Sequence, residues 1–248
     1  MSALRRLCAL LALALPLPVA AAECGDVTWE GARYTICEAD MARDELRLFL
    51  RAPGAGAALG SFRNVNEVLA REGGQLGFAM NAGMYHSDRR PVGLYIEDGR
   101  EVSGIVASAG PGNFGLLPNG VFCIREGRAD VMETGRYLRE SPGCAYATQS
   151  GPMLVIDGAL HPRFLRDSDS RYIRNGVGAS EDGRRVVFAI SDAPVNFDSF
   201  GRFFRDYLEL PQALYLDGNI SRLHAPALGR SDLGLPMGPI VGTVAPKD

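Results

Sequence analysis

The stretch Gly93-Leu94-Tyr95-Ile96-Glu97-Asp98-Gly99-Arg100-Glu101-Val102-Ser103-Gly104-Ile105-Val106 decides the fold class. Two short runs rich in apolar and β-branched residues flank Asp98-Gly99, a pair suited to the left-handed backbone of a two-residue hairpin turn. The pattern recurs outward from there. Val121 to Ile124 and Ala129 to Met132 flank Glu126-Gly127, Val27 to Trp29 and Arg33 to Ile36 flank Glu30-Gly31, and Met153 to Ile156 ends at Asp157-Gly158. Arg43 to Leu50 alternates, with Leu46, Leu48 and Leu50 on one face, as a half-buried strand does. The thirty glycines and fifteen prolines are spread along the chain, so they mark many turns rather than a linker.

Helical spacing occurs twice. Phe62, Val65, Val68 and Leu69 form one stripe, with Ser61 or Asn64 able to cap its start and Gly73-Gly74 to stop it. Phe200, Phe203, Phe204, Tyr207 and Leu208 form a second stripe, expected to pack against a sheet. Many hairpins with few helices predict an α+β class: a single domain of mixed, mostly antiparallel β-sheet with a few packed helices. A doubly wound parallel sheet would need a helix after nearly every strand.

Residues 1–22 read as an export signal, with Arg5 and Arg6 ahead of the apolar run Leu7 to Leu15 and a small-residue site at Ala20-Ala21-Ala22. The folded domain is then expected over residues 23–248. A lipid anchor on Cys24 is disfavoured because Glu23 precedes it. No later stretch approaches the ~20 apolar residues of a spanning helix, so no stable membrane insertion of the mature chain is expected. The formal charge of −3 becomes about −5 without the signal arginines, which makes nucleic acid a poor partner. Export places Cys24, Cys37, Cys123 and Cys144 in an oxidising compartment, where two disulfides are expected. The hairpin around Glu30-Gly31 favours Cys24 with Cys37, leaving Cys123 with Cys144.

Four strand edges carry polar residues among glycines: Met80-Asn81-Ala82-Gly83-Met84, Gln149-Ser150-Gly151-Pro152, Arg174-Asn175-Gly176-Val177-Gly178 and Leu214-Tyr215-Leu216-Asp217-Gly218-Asn219. This is the composition of a polar pocket built from turns on a sheet. Asp217 leads the candidates, because a strand delivers it rigidly and Gly218 lets the backbone pass close to a ligand. The plainer alternative makes Asp217 a turn residue that bonds its own backbone. Arg171 and Arg174 supply two guanidiniums suited to phosphate or carboxylate, and the glycines after Arg174 are expected to leave room for substrate. Asp192 also ends an apolar strand and is the expected second carboxylate.

Other chemistries fit poorly. His86, His161 and His224 lie in no nucleophile-elbow context and are expected to be structural or on the surface. No phosphate-loop or dinucleotide motif occurs. The cysteines match no zinc spacing, and the carboxylates of the second half match no calcium loop, so no cofactor is expected, with a divalent cation left open.

Taken in order, Met80-Asn81-Ala82-Gly83-Met84-Tyr85, Pro118-Asn119-Gly120-Val121-Phe122, Ser150-Gly151-Pro152, Arg174-Asn175-Gly176-Val177-Gly178 and Leu216-Asp217-Gly218 resemble the phosphodiester glycosidase family. That family includes the domain of the mannose 6-phosphate uncovering enzyme, and the likeness here is to its bacterial exported branch. The resemblance implies an exported hydrolase, periplasmic rather than released, that cleaves the glycosidic bond of a sugar 1-phosphodiester or related envelope glycan. It maps Asn81, Arg174, Asp217 and Ser221 onto positions that line the pocket. Together with the reading of the residues themselves, this makes Asp217, Arg174 and Asp192 the expected catalytic residues, and Asn81, Gly83, Ser150, Gly151, Arg171, Asn175, Gly218 and Ser221 the expected substrate contacts. One departure stands out: the uncovering enzyme's Asp-Gly-Gly-Gly-Ser turn is Asp217-Gly218-Asn219-Ile220-Ser221 here. Two rivals remain at this stage, a non-catalytic module that binds phosphate-containing glycans and a metal-dependent phosphodiesterase.

Overall fold

A computed structural model describes residues 22–54 and 56–247. The export segment expected over residues 1–22 lies outside them, apart from Ala22. Three antiparallel sheets make up most of the molecule. The first has seven strands in the order β1 (Glu23–Trp29), β2 (Ala32–Asp40), β13 (Arg185–Ser191), β12 (Asn175–Ala179), β14 (Gln212–Asp217), β10 (Met153–Ile156) and β11 (Ala159–Leu160). The second runs β16 (Arg230–Ser231), β15 (Leu223–Ala225), β4 (Gly74–Asn81), β17 (Ile240–Pro246), β3 (Glu45–Phe49). The third runs β6 (Arg100–Ser103), β5 (Tyr95–Glu97), β9 (Tyr146–Ser150), β7 (Gly120–Arg125), β8 (Arg128–Glu133). With the short helices α1 (Phe62–Leu69), α2 (Thr134–Glu140) and α3 (Phe197–Arg202), this is a mixed α+β domain, as expected.

The hairpins form where the turn pairs stand. Asp98 and Gly99 take φ of 51° and 71°, the left-handed pair that matches the twist of β5 and β6. Side-chain alternation then sorts the core. Along β14, Leu214 and Leu216 face a central cluster shared by all three sheets, whereas Ala213 and Tyr215 face the layer formed with α3. Phe200, Phe203 and Phe204 bury the aromatic stripe against that second face. Each such fully buried ring contributes roughly 1.5–3 kcal/mol from its removal from water. The expected helix over 200–208 is in fact two pieces, with α3 starting earlier and a π-helical turn, Phe203–Tyr207, following it.

The helix α1 packs Phe62, Val65 and Leu69 on the outer face of the second sheet. Ser61 Oγ caps it by accepting the Asn64 amide at 3.1 Å, and Gly73 ends it in the left-handed conformation after a short 3₁₀ turn. Both disulfides, Cys24–Cys37 and Cys123–Cys144, have the pairing expected. Cys24 lies directly opposite Cys37 in the β1–β2 ladder.

One local expectation is corrected. Residues Asn175 to Gly178 are not a turn before β13 but the body of β12, hydrogen-bonded between β13 and β14. The glycines are there for packing. A Cβ on Gly176 would stand 2.8 Å from the Leu214 carbonyl oxygen, and one on Gly178 2.7 Å from Leu210. Neither leaves space for a ligand.

Candidate active site

Asp217 is the last residue of β14, paired in register with Asn175 of β12. It is 8% exposed. Its Oδ1 accepts the amides of Gly218 at 2.6 Å and Asn219 at 2.9 Å, so the turn-forming alternative also holds for one of its oxygens. Among the described residues no arginine, lysine or histidine pairs with it. Burial pushes its carboxyl above the usual aspartate range, against the opposing pull of those backbone amides. Gly218 is required at its position, since a side chain there would overlap the Tyr215 hydroxyl.

A cleft of ≈ 600 Å³ opens over this carboxylate. Its walls come from four chain segments: Met84, Tyr85 and His86 after β4; Asn113 and Phe114 in the loop between β6 and β7; Ser170 and Tyr172 before β12; and Tyr215 with Asp217 to Ile220. Asp217 is the one carboxylate among these lining residues. Burial raises the Tyr85 and Tyr215 hydroxyls above the ordinary tyrosine value, and the Asp217 charge adds to both shifts, so both phenols stay protonated as donors at neutral pH.

Arg174 converges on this site but from behind its wall. The side chain is fully buried, with 0% exposure. Its Nε donates to the Val195 carbonyl at 2.8 Å and an Nη to the Ser170 carbonyl at 2.9 Å. The guanidinium lies 3.6 Å from the Phe197 ring centroid and 5.3 Å from those of Tyr172 and Tyr215. It has no carboxylate partner among the described residues, and Nη1 has no hydrogen-bond partner. Burial lowers its pKa while the neighbouring tyrosines oppose that. Arg174 is not among the residues that line the cleft, whereas its neighbours Tyr172 and Tyr215 are.

The expected polar contacts lie together beneath the cleft, committed to one another. Asn81 Nδ2 donates to Asn175 Oδ1 at 3.1 Å, and Asn175 Nδ2 donates to the Asn81 carbonyl at 2.9 Å, clasping the second sheet to the first. Asn81 Oδ1 accepts the Arg222 amide at 2.9 Å. Ser150 Oγ donates to the Leu216 carbonyl at 3.0 Å. Ser221 Oγ lies 2.9 Å from the Ile173 carbonyl and 3.0 Å from that of Asp217, closing the 217–221 turn. Gly83, at φ 142°, and Gly151 pack under the same floor. These residues fix the site's shape rather than line it.

Two expected residues fall outside the cleft lining. Asp192 is held by Arg33 at 2.6 Å and Arg230 at 3.0 Å and is not among the residues that line the cleft. Arg171 is exposed and does not line the cleft, whereas its chain neighbours Ser170 and Tyr172, also exposed, do. Sequence reasoning singles out neither Tyr215 nor Tyr172 as a site residue, although Tyr215 stands two residues before Asp217 on the same strand. His86, expected only as structural or surface, is exposed and lines the cleft. Asn113 and Phe114 come from a long loop that carries no periodic signal. Among the described residues, no group of three or more His, Cys, Asp or Glu side chains gathers as a metal set.

A buried carboxylate at a strand end of an antiparallel β domain, under an aromatic cleft of ligand size, is the arrangement expected of a small-molecule site. Residues 75–224 match the family model for phosphodiester glycosidases, and the chain belongs to that family. It is 37% identical over 151 residues to protein YigE of Escherichia coli K12, a match spanning 61% of this chain and 59% of that relative. Among solved structures, it is similar to the catalytic domain of zebrafish N-acetylglucosamine-1-phosphodiester alpha-N-acetylglucosaminidase, auto-inhibited by its pro-peptide. The TM-score is 0.60 at 14% identity, covering 89% of this chain and 81% of that one. It is also similar to a protein of Burkholderia pseudomallei K96243 named as a candidate exported protein, with a TM-score of 0.53 at 12% identity, over 86% and 74% of the two chains.

Proposed function

We propose that this chain is an exported hydrolase that cleaves the glycosidic C–O bond of a sugar 1-phosphodiester, releasing free sugar and a phosphomonoester. Family membership supports a glycosidase-type activity. The observation that carries the finer reading is Asp217, a buried, unpaired carboxylate at the floor of the cleft. A phosphate monoester is already a weak base, so its departure from the anomeric carbon needs little protonation. One carboxylate suffices for that reaction where an alkoxide leaving group would call for two.

In this mechanism the C1–O bond to phosphate breaks, positive charge develops at the anomeric carbon, and Asp217 stabilises it before water adds. Tyr85, His86, Asn113 and Asn219 offer the donors and acceptors that orient the sugar. Arg174 acts through space as a positioning residue, because a buried cation a few ångströms behind the wall raises the potential felt by the phosphate. Export through a signal over residues 1–22, and a periplasmic rather than secreted destination, are parts of the same proposal. They are supported by the two disulfides and by the exported neighbour.

The test is incubation with a panel of sugar 1-phosphodiesters in isotopically labelled water. Label in the sugar, with turnover lowered by ~10² or more in Asp217→Asn, supports the assignment. Arg174→Met should lower turnover as well while the protein stays folded. Label in the phosphate together with chelator sensitivity would mean a metal-dependent phosphodiesterase instead. Ligand retained intact would mean a binding module.

A further inference from the structure

Leu233 is 93% exposed and Leu235 69%, on the turn Leu233-Gly234-Leu235-Pro236. Leu233 is the most exposed large apolar side chain among the described residues. The turn is anchored by its backbone. Pro236 O accepts the Tyr85 hydroxyl at 3.3 Å and Leu235 O accepts Arg222 Nη1 at 2.5 Å, so the leucine side chains are not needed to hold it. Tyr85 lines the cleft, and the turn is therefore part of its rim. Beside Arg222, Ser221 contacts the carbonyl of Ile173, and Ile173 and Tyr172 are 40% and 45% exposed. Leu233 and Leu235 thus stand exposed on a segment bonded to the cleft wall, and Tyr172 of that wall is itself half exposed.

The charge at this rim has the opposite sign to that of the chain. Among the described residues Arg222 has no carboxylate partner, and neither has Arg89, which lies over the Tyr85 ring at 5.3 Å. The nearby acids are neutralised: Asp88 by Arg90 at 2.5 Å and Asp232 by Arg230 at 3.0 Å. Apolar side chains at the apex of a turn, flanked by free guanidiniums, fit the headgroup region of an anionic bilayer. A second copy meeting the same surface would bring like charges together.

We propose that this rim docks on an anionic lipid bilayer, so that the cleft takes a sugar phosphodiester presented at a membrane surface. The substrate half rests on the proposed function; the docking half does not. Vesicles of phosphatidylethanolamine with phosphatidylglycerol should carry the full chain on flotation, and vesicles of phosphatidylcholine alone should not. Leu233→Ser with Leu235→Ser should weaken that binding by ~10-fold or more, leaving the melting temperature and the hydrolysis of a soluble phosphodiester unchanged. Arg89→Gln should weaken it too, and added salt should do the same to the wild type. Absence of wild-type binding, equal binding by the double leucine variant, or a dimer that this variant dissolves would each overturn the docking. Vesicle binding without hydrolysis of any soluble phosphodiester would leave the docking standing and count against the proposed reaction.

Discussion

In the proposed reaction, Asp217 couples stability to activity through one ionisation. Its pKa is raised by burial, so the folded protein holds the proton more tightly than the unfolded chain does. Stability associated with this group is therefore fully present below the unfolded aspartate value and declines as pH rises through the folded one. Asp217→Asn removes the buried charge. It should melt higher than the wild type at neutral pH, with the gap closing below about pH 4, while turnover collapses. A thermal melt series across pH checks this, and a variant that is less stable at pH 7 would refute the sign. Gly218 gives a second test. Gly218→Ala must push against the Tyr215 hydroxyl, costing about 1–3 kcal/mol, and Tyr215→Phe in the same chain should recover part of that loss in a double-mutant cycle. Asp217 was legible because a strand running into a carboxylate and a glycine is a local pattern. The environment of Arg174 was not, because its cage includes Phe197, and nothing in sequence spacing announces that a ring from α3 will cover it. Asp192 misled for the same reason, its partners Arg33 and Arg230 being distant in sequence.

At the level of elements, two helix caps should behave differently. Ser61→Ala removes the cap of α1, which lies on the outer face of the second sheet, and should cost about 1 kcal/mol with turnover unchanged. Asn196 caps α3 by accepting the Ser199 amide at 2.9 Å, and its Nδ2 also donates to the carbonyls of Arg166 and Ser168. Asn196→Ala should cost more, about 2 kcal/mol, and should also slow turnover, because Phe197 at the start of that helix cages Arg174. Denaturant melts paired with rate measurements separate the two cases. Hairpin strands were readable because turn and partner are neighbours in the chain. β12 was misread since Gly176 and Gly178 mimic a turn, and the strand is fully buried between β13 and β14. β17 has no turn or neighbouring strand to announce it, since its partners β3 and β4 lie far back in the sequence. α2 escaped because Thr134–Glu140 buries little more than Thr134 and carries no apolar stripe.

For the whole molecule, the class of fold was legible from local patterns, whereas the order of strands was not. The first sheet places β13 beside β2, a pairing across most of the chain, and periodicity carries no information about that choice. Long-range order of this kind makes the cross-links matter. Cys123–Cys144 spans 21 residues, and its removal as Cys123→Ala with Cys144→Ala should cost about 3 kcal/mol, seen as a melting point lower by ~6–12 °C. Cys24–Cys37 joins strands already paired in register and should matter less. The mutual carboxamide bonds of Asn81 and Asn175 are a cross-link of another sort, one made of amides in a dry interior. Sliding the second sheet past the first would tear both bonds with no water at hand to replace them. The two sheets are riveted at that spot, so accommodation of differently shaped molecules falls to the rim turns, and variation in those turns can retune what is accepted without disturbing the frame.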